Sequence, residues 1–195
     1  EVGRDYVISV RLCGDELIRD GITIDETVAA ARILEADGHI DCINTSIGTA
    51  TQTLYMIEAS MRIPPNYAMF ISSAIRKAVR LPVIGVGRVK DPIQAERILA
   101  EGHADLVGIV RGQIADAYFA RKARENRVDD IRLCLSCNQE CVGRMGLNRW
   151  MGCIESPATG QEQKYGEDTL KKANPVKRVV VVGGGPAGLK AATVA

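Results

Sequence analysis

The feature that most restricts the fold is the alternation of short β-type runs with helical patterns over the first 130 residues. Each run is apolar and rich in β-branched residues, as strands covered on both faces of a sheet are. Such alternation predicts βαβ units, a parallel sheet and an α/β fold, built as an open doubly wound sheet or as half of a closed barrel. The predicted strands are Tyr6 to Leu12, Ile40 to Asn44, Val83 to Val86 and Asp105 to Val110.

Helix start signals lie between these strands. Thr23 with Glu26 three residues later forms a capping box, in which each residue satisfies a free backbone donor of the first turn. Asp91 followed by Pro92 is an N-cap with proline at the first helical position. The predicted helices cover residues 23–38, 67–79, 91–102 and about 116–126.

The composition argues against several kinds of partner. Hydrophobic residues make up 46% of the chain, charged residues 25%, and the formal net charge is +1. Nothing in this balance favours nucleic acid or an anionic membrane. No apolar run approaches the ~18 residues that a membrane span needs, and the first residues lack the layout of a signal peptide. We therefore expect a cytoplasmic protein with neither a nucleic-acid nor a membrane partner.

Four of the six cysteines are crowded together, with the spacing Cys134-x2-Cys137-x3-Cys141-x11-Cys153. Short gaps let successive thiolates converge on one inorganic centre at a small loop-closure cost. The spacing favours an iron–sulfur cluster, because all-cysteine zinc sites more often come as two separated Cys-x-x-Cys halves. Structural zinc, a thioredoxin-like redox pair and disulfides are the alternatives.

A glycine-rich turn follows the apolar run 179–182, which is predicted to be a buried strand. The pattern Gly-x-Gly-x-x-Gly after a strand and before a helix predicts a dinucleotide-binding turn. Gly183 would make the tight turn, Gly185 would let the backbone approach a pyrophosphate, and Gly188 would let the helix pack closely. The acidic residue that would hold the ribose is expected ~20 positions later, so FAD, ADP and NAD(P) stay open as ligands.

Three arginines follow predicted strands. They are Arg11, Arg88 with Gly87 before it, and Arg111 with Val110 before it. If the strands are parallel, their C-terminal ends form the ligand-binding face. An arginine near free backbone N–H groups, just ahead of a helix, suits a phosphate. A solvated rim arginine is the alternative at each position.

These motifs, in this order, resemble the iron–sulfur flavoenzymes of the Old Yellow Enzyme class, which includes bacterial 2,4-dienoyl-CoA reductase and trimethylamine dehydrogenase. The resemblance covers nearly the whole chain. Residues 60–67 and 141–150 are also similar to members associated with mycofactocin. The stretches that carry the resemblance include Pro82-Val-Ile-Gly-Val-Gly-Arg88, Ala104-Asp-Leu-Val-Gly108, Asp129-Asp-Ile-Arg132, Cys134-Leu-Ser-Cys-Asn-Gln-Glu-Cys141 and Tyr165-Gly-Glu-Asp-Thr-Leu170.

The resemblance implies a domain organisation. Residues 1–130 would be the C-terminal half of a (β/α)8 TIM barrel, with strands five to eight, and would bind FMN. Residues 131–160 would carry a 4Fe-4S cluster, and residues 161–177 would be a linker. Residues 178–195 would begin a Rossmann-like FAD/NAD domain. Half a barrel thereby replaces the open sheet as the expected fold.

The resemblance also implies roles for the arginines and an activity. Arg11 would lie by the flavin ring, while Arg88 and Arg111 with their neighbouring backbone would hold the FMN phosphate. NAD(P)H would reduce FAD, the cluster would pass electrons to FMN, and FMN would transfer hydride to an enone- or enoyl-type small molecule. Running in reverse, the same parts would make an amine or alcohol dehydrogenase.

The proton donor is not identified by this resemblance. Dienoyl-CoA reductase has a histidine in the loop after strand six, where this chain has residues 47–50 without one. Tyr55 lies in the same loop and is the remaining candidate, with simple packing as its alternative role. Two other interpretations of the chain are a nonfunctional fragment and a zinc-stabilised binding module.

Overall fold

The computed structural model describes residue 3 and residues 5–195, and its centre is a parallel sheet with the strand order β1-β2-β3-β4. In the register, Arg11 is opposite Asn44 and Asn44 is opposite Ile84. Strands that follow one another both in sequence and in space, with helices between them, are the pattern of a (β/α)8 barrel. The prediction of a half barrel is confirmed. The strands are β1 (Ser9–Cys13), β2 (Cys42–Ser46), β3 (Val83–Gly85) and β4 (Leu106–Val107).

The predicted helix caps form. Thr23 N–H donates to Glu26 Oε2 at 2.8 Å, and the Asp91 carboxylate accepts from Gln94 N–H at 2.7 Å. None of the helices in the described ranges is long and apolar enough to cross a membrane. The helices are α1 (Ile24–Asp37), α2 (Leu54–Ile57), α3 (Met69–Ala78), α4 (Pro92–Ala100), α5 (Arg111–Ala115), α6 (Phe119–Arg124), α7 (Val142–Gly146), α8 (Glu162–Tyr165) and α9 (Pro186–Val194), with short 3-10 helices at Val128–Asp130 and Glu167–Thr169.

The hydrophobic core lies between one face of the sheet and the helices. Ile43 of β2 and Val83 of β3 pack with Ile71 and Ile75 of α3, and all four are fully buried. Burying such a side chain stabilises the fold by about 1.5–3 kcal/mol. Alternate strand residues point to the opposite face, where Leu106 is 49% exposed. The core therefore anchors the strands from the helical side and leaves the other face open.

Several elements of the barrel differ from the predictions, including β4, which covers only Leu106–Val107 rather than residues 105–110, and β2, which covers Cys42–Ser46 rather than residues 40–44. β1 begins at Ser9 rather than Tyr6, and Tyr6 is 64% exposed. The predicted helix over 116–126 is shorter than expected: α6 covers only Phe119–Arg124, and Asp116 instead follows the end of the preceding helix, α5. The Asp116 carboxylate accepts the N–H of Tyr118 at 2.9 Å, a local bond that competes with helical hydrogen bonding.

The predicted buried strand over 179–182 is wrong. Val180 is 80% exposed and Val182 is 94% exposed, and this run pairs with no strand of the described residues. A strand is stabilised by a neighbour that satisfies its backbone groups, so an apolar run without one stays irregular.

Candidate functional site

A cleft of about 130 Å³ lies at the C-terminal ends of the strands. Arg11, Arg88 and Arg111 all line it, together with Lys90. No carboxylate in the described ranges lines this cleft. Converging cations without a balancing acid attract an anionic group such as a phosphate. The structure thus brings the three arginines singled out in the sequence to one place. Further lining residues include Ser46, Tyr67, Gly87, Gly108, Val110 and Gly112.

The loop after β3 is held in an unusual backbone conformation. Gly87 has φ +148° and Arg88 has φ +58°. A Cβ at position 87 would lie 3.1 Å from the backbone nitrogen of Ala68, so glycine is required there. The Gly87 carbonyl accepts the N–H of Asn66 at 2.9 Å, and Gln94 Nε2 donates to the Arg88 carbonyl at 3.3 Å. These bonds hold a conformation that costs on the order of 1–3 kcal/mol.

Two buried polar atoms near the strand ends have no hydrogen-bond partner among the described residues. They are Nε of Arg88 and Oδ1 of Asn44. The other end of the Arg88 guanidinium donates to the carbonyl of Ile63. Leaving a buried donor or acceptor unpaired costs about 1–3 kcal/mol. A ligand with an anionic acceptor for Arg88 and an N–H for Asn44 would remove both penalties, and FMN carries both kinds of group.

A second cavity, the cysteine pocket, is lined by Cys134, Cys137, Cys141 and Cys153. Burial raises the pKa of the Cys153 thiol, and the neighbouring Cys134 and Cys141 raise it further. The backbone N–H of Ser136 lies 3.3 Å from Cys134 Sγ. All six cysteines are free, and no group of three or more His, Cys, Asp or Glu in the described ranges is arranged to hold a metal ion. The predicted ligands therefore share one cavity without forming a compact single-ion site.

The cleft and the cysteine pocket share a wall. Arg111 and Cys134 line both cavities. Nη1 of Arg111 donates to Oδ1 of Asn138, and Nδ2 of Asn138 donates to the Glu58 carbonyl. Sequence reasoning missed Asn138, whose only signal is its place between two predicted ligands, Cys137 and Cys141.

Of the two tyrosines between β2 and α3, Tyr67 lines the cleft and Tyr55 does not. Tyr55 is 62% exposed and is not among the residues that line the cleft. Its role as a proton donor remains a prediction without support from this geometry. Tyr67, which the sequence did not single out as a site residue, lines the cleft and donates to the Met56 carbonyl. Burial raises the pKa of Tyr67.

A buried ion pair holds in place the chain that leads into the cysteine segment, residues 131–160. Nζ of Lys122 lies 2.8 Å from Oδ2 of Asp116 and 3.2 Å from the Asp130 carbonyl. The same Asp116 oxygen accepts the N–H of Arg132 at 2.9 Å. Burial alone would raise the pKa of Asp116, but Lys122 and the N–H groups of Arg132 and Tyr118 hold it below its usual value. The pair thereby ties α5 and α6 to the chain that leads into Cys134.

The glycine-rich turn forms even though the strand before it does not. Gly183 has φ +110°, and Gly185 caps α9, which begins at Pro186. A Cβ at Gly188 would lie 2.1 Å from the carbonyl oxygen of Gly183. Glycine is therefore required at 188 for the helix to follow so closely on the turn.

Comparison with known proteins places these features in a family. Residues 1–130 match the model of the NADH:flavin oxidoreductase / NADH oxidase family. An NADH oxidase of Thermoanaerobacter brockii is 41% identical over 195 residues, which are 100% of this chain and 29% of the relative. The N,N-dimethylglycine/sarcosine dehydrogenase of Chromohalobacter salexigens is 36% identical over 199 residues, which are 100% of this chain and 28% of that protein.

A solved structure of 2-naphthoyl-CoA reductase matches with a TM-score of 0.90 and 32% identity, covering 100% of this chain and 29% of that one. The similarity extends through the cysteine segment and the glycine-rich turn, because the whole chain is covered. The chain spans less than a third of the length of these three relatives.

Proposed function

Because the chain belongs to the NADH:flavin oxidoreductase / NADH oxidase family, we propose that it is the part of an FMN- and 4Fe-4S-dependent oxidoreductase that binds the FMN phosphate and the cluster. The observation that carries this proposal is the wall shared by the cleft and the cysteine pocket, to which Arg111 and Cys134 both belong. Groups bound in the two cavities would contact the same two residues.

The cleft residues fit FMN. Arg88 and Arg111 would hold the phosphate with the backbone at Gly87 and Val110, and Arg11 would lie beside the ring. When bound, FMN supplies hydride transfer and a 4Fe-4S cluster supplies single-electron transfer. A cation at Arg11 would favour the anionic form of the reduced ring.

The close spacing of the four cysteines, with gaps of two, three and eleven residues, favours a cluster over a single zinc ion. From a Zn–S bond of ~2.3 Å, a tetrahedral zinc site draws its sulfurs to about 3.8 Å from one another. The four cysteines line one cavity, and no group of three or more possible ligands in the described residues is arranged for a single ion. A cluster of four irons spreads its thiolates more widely. The N–H of Ser136 near Cys134 Sγ would then tune the cluster's potential.

For the parent enzyme, we propose electron transfer between NAD(P)H and an enone- or enoyl-type small molecule. FAD, or another dinucleotide, would bind at the turn formed by Gly183, Gly185 and Gly188. The similarity to a reductase that binds 2-naphthoyl-CoA favours this direction. The similarity to N,N-dimethylglycine/sarcosine dehydrogenase keeps amine oxidation as the second candidate.

The test is composition analysis of the protein purified without oxygen. We expect iron and acid-labile sulfide at about four each per chain, with one FMN. The Cys153→Ala variant should lose iron and sulfide, whereas the control variant Cys42→Ala, on β2, should keep both. Zinc without sulfide would refute the cluster, and a protein that is insoluble or colourless would favour the nonfunctional fragment. Reduction by NADH or NADPH, followed by enoyl-CoA, enone and amine candidates, then separates the two directions.

A further inference from the structure

We propose that Asn138 is a positioning residue that couples occupancy of the FMN cleft to occupancy of the cysteine pocket, so that each bound group strengthens retention of the other. The inference rests on the proposed function, because it requires both groups. It concerns a different property, namely that the two binding equilibria depend on each other.

Asn138 joins two loops through its side chain. Oδ1 accepts from Nη1 of Arg111, which lines both cavities, and Nδ2 donates to the carbonyl of Glu58 in the loop after β2. The backbone of Asn138 has φ +60°, and its carbonyl accepts the N–H of Gly143 at 2.9 Å. The residue is therefore held at both its backbone and its side chain.

The amide of Asn138 matches the chemistry of its two partners. A guanidinium can only donate hydrogen bonds, and a backbone carbonyl can only accept them. One short side chain that serves Arg111 and Glu58 together must carry an acceptor and a donor side by side. An aspartate would keep the acceptor and lose the donor, and an alanine would lose both. The two contacts can therefore be removed separately.

Three loops converge around this residue. The loop after β2 is joined to the cysteine segment a second time, where the N–H of Met61 donates to the Ser136 carbonyl at 2.8 Å. The loop after β4 contributes Arg111, and the cysteine loop contributes Asn138 itself. A phosphate that orders Arg111 therefore also restrains the segment between Cys137 and Cys141.

The two binding equilibria are coupled because a group bound in either cavity restrains the same two residues, Arg111 and Asn138. The first group to bind restrains Arg111 and Asn138, so the second binds to loops that have already lost conformational freedom. Such linkage is reciprocal: the factor by which the cluster tightens FMN binding equals the factor by which FMN tightens cluster retention. Typical coupling of this kind changes affinity by about 5- to 150-fold.

The test compares FMN affinity in cluster-loaded and cluster-free protein, measured by flavin fluorescence. In the wild type we expect FMN to bind on the order of tenfold more tightly when the cluster is present. Asn138→Ala should bring this ratio close to one, and Asn138→Asp should leave an intermediate ratio. The control is Asn148→Ala, at an exposed asparagine of the same segment with φ +52°, which should keep the wild-type ratio. Iron loss should also be slower with FMN than without it in the wild type, and Asn138→Ala should reduce this difference.

The possible outcomes separate the coupling from the proposed function. A wild type that binds no FMN, or no iron and sulfide, contradicts the proposed function itself. A wild type that binds both groups with a ratio of one overturns only the coupling. An Asn138→Ala ratio equal to that of the wild type also overturns it. If Asn138→Ala retains neither group, Asn138→Asp decides, since an unchanged ratio in that variant refutes the role of the amide.

Discussion

Lys122→Met tests how strongly the buried ion pair of Lys122 and Asp116 stabilises residues 116–132, which lead into the cysteine segment. Lys122 and Asp116 side chains are 5% and 1% exposed, and the pair is 2.8 Å apart. The substitution leaves the Asp116 carboxylate buried with only the N–H groups of Arg132 and Tyr118 as partners. Removing one partner of a buried pair costs about 3–5 kcal/mol, because the remaining charge is uncompensated.

Amide hydrogen exchange of the purified protein, followed by mass spectrometry, measures this cost locally. In peptides that span 116–132, exchange should become faster by about 10²-fold to about 5 × 10³-fold, since each 1.36 kcal/mol is a factor of ten. The double variant Asp116→Asn/Lys122→Met should recover much of the loss, because no buried charge is left unpaired; Glu167, which Lys122 also contacts at 3.4 Å, is 49% exposed. Arg127→Gln is the matched control: its ion pair with Asp130 is also 2.8 Å long, but the side chains are 48% and 56% exposed. An increase below tenfold, or an equal increase in the control, would refute the reasoning.

Three further predictions concern the cleft, the glycine-rich turn and pH. Gly87→Ala should weaken FMN binding measured by flavin fluorescence, because a φ of +148° is strained for alanine and a Cβ 3.1 Å from the backbone nitrogen of Ala68 would force this loop to shift. Gly102→Ala, at another positive φ outside the cleft, should not weaken FMN binding. Gly188→Ala should reduce FAD content determined after denaturation, because its Cβ would meet the Gly183 carbonyl at 2.1 Å, and unchanged content would contradict a dinucleotide at this turn.

The third prediction follows from the lowered pKa of Asp116. Since the folded pKa lies below the unfolded value of about 3.9, the stabilisation is complete above that value and is lost as pH falls through the folded pKa. Protection of peptides 116–132, corrected for intrinsic exchange, should therefore be equal at about pH 7 and pH 5 and should fall only in stronger acid. A decline already between those two values would show that another group controls the segment.

Local patterns were sufficient to predict much of the fold. The capping box at Thr23 and the N-cap at Asp91 are contacts between residues three apart, so the sequence contains both partners of each bond. The convergence of Arg11, Arg88 and Arg111 was also predictable, because parallel strands bring their C-terminal ends to one edge.

Other features depend on contacts that no local pattern encodes. The run 179–182 has the composition of a buried strand but pairs with no strand among the described residues. The helix predicted from Asp116 begins only at Phe119, and the Asp116 carboxylate instead contacts Lys122 and Arg132. The link from Asn138 to Arg111 spans 27 residues of sequence, and its link to Glu58 spans 80. The sequence by itself determined most elements of the barrel, the strand ends at which the three arginines converge and the four cysteines that line one cavity. Only the tertiary structure decided that the cleft and the cysteine pocket share a wall, because that depends on how loops distant in sequence pack against one another.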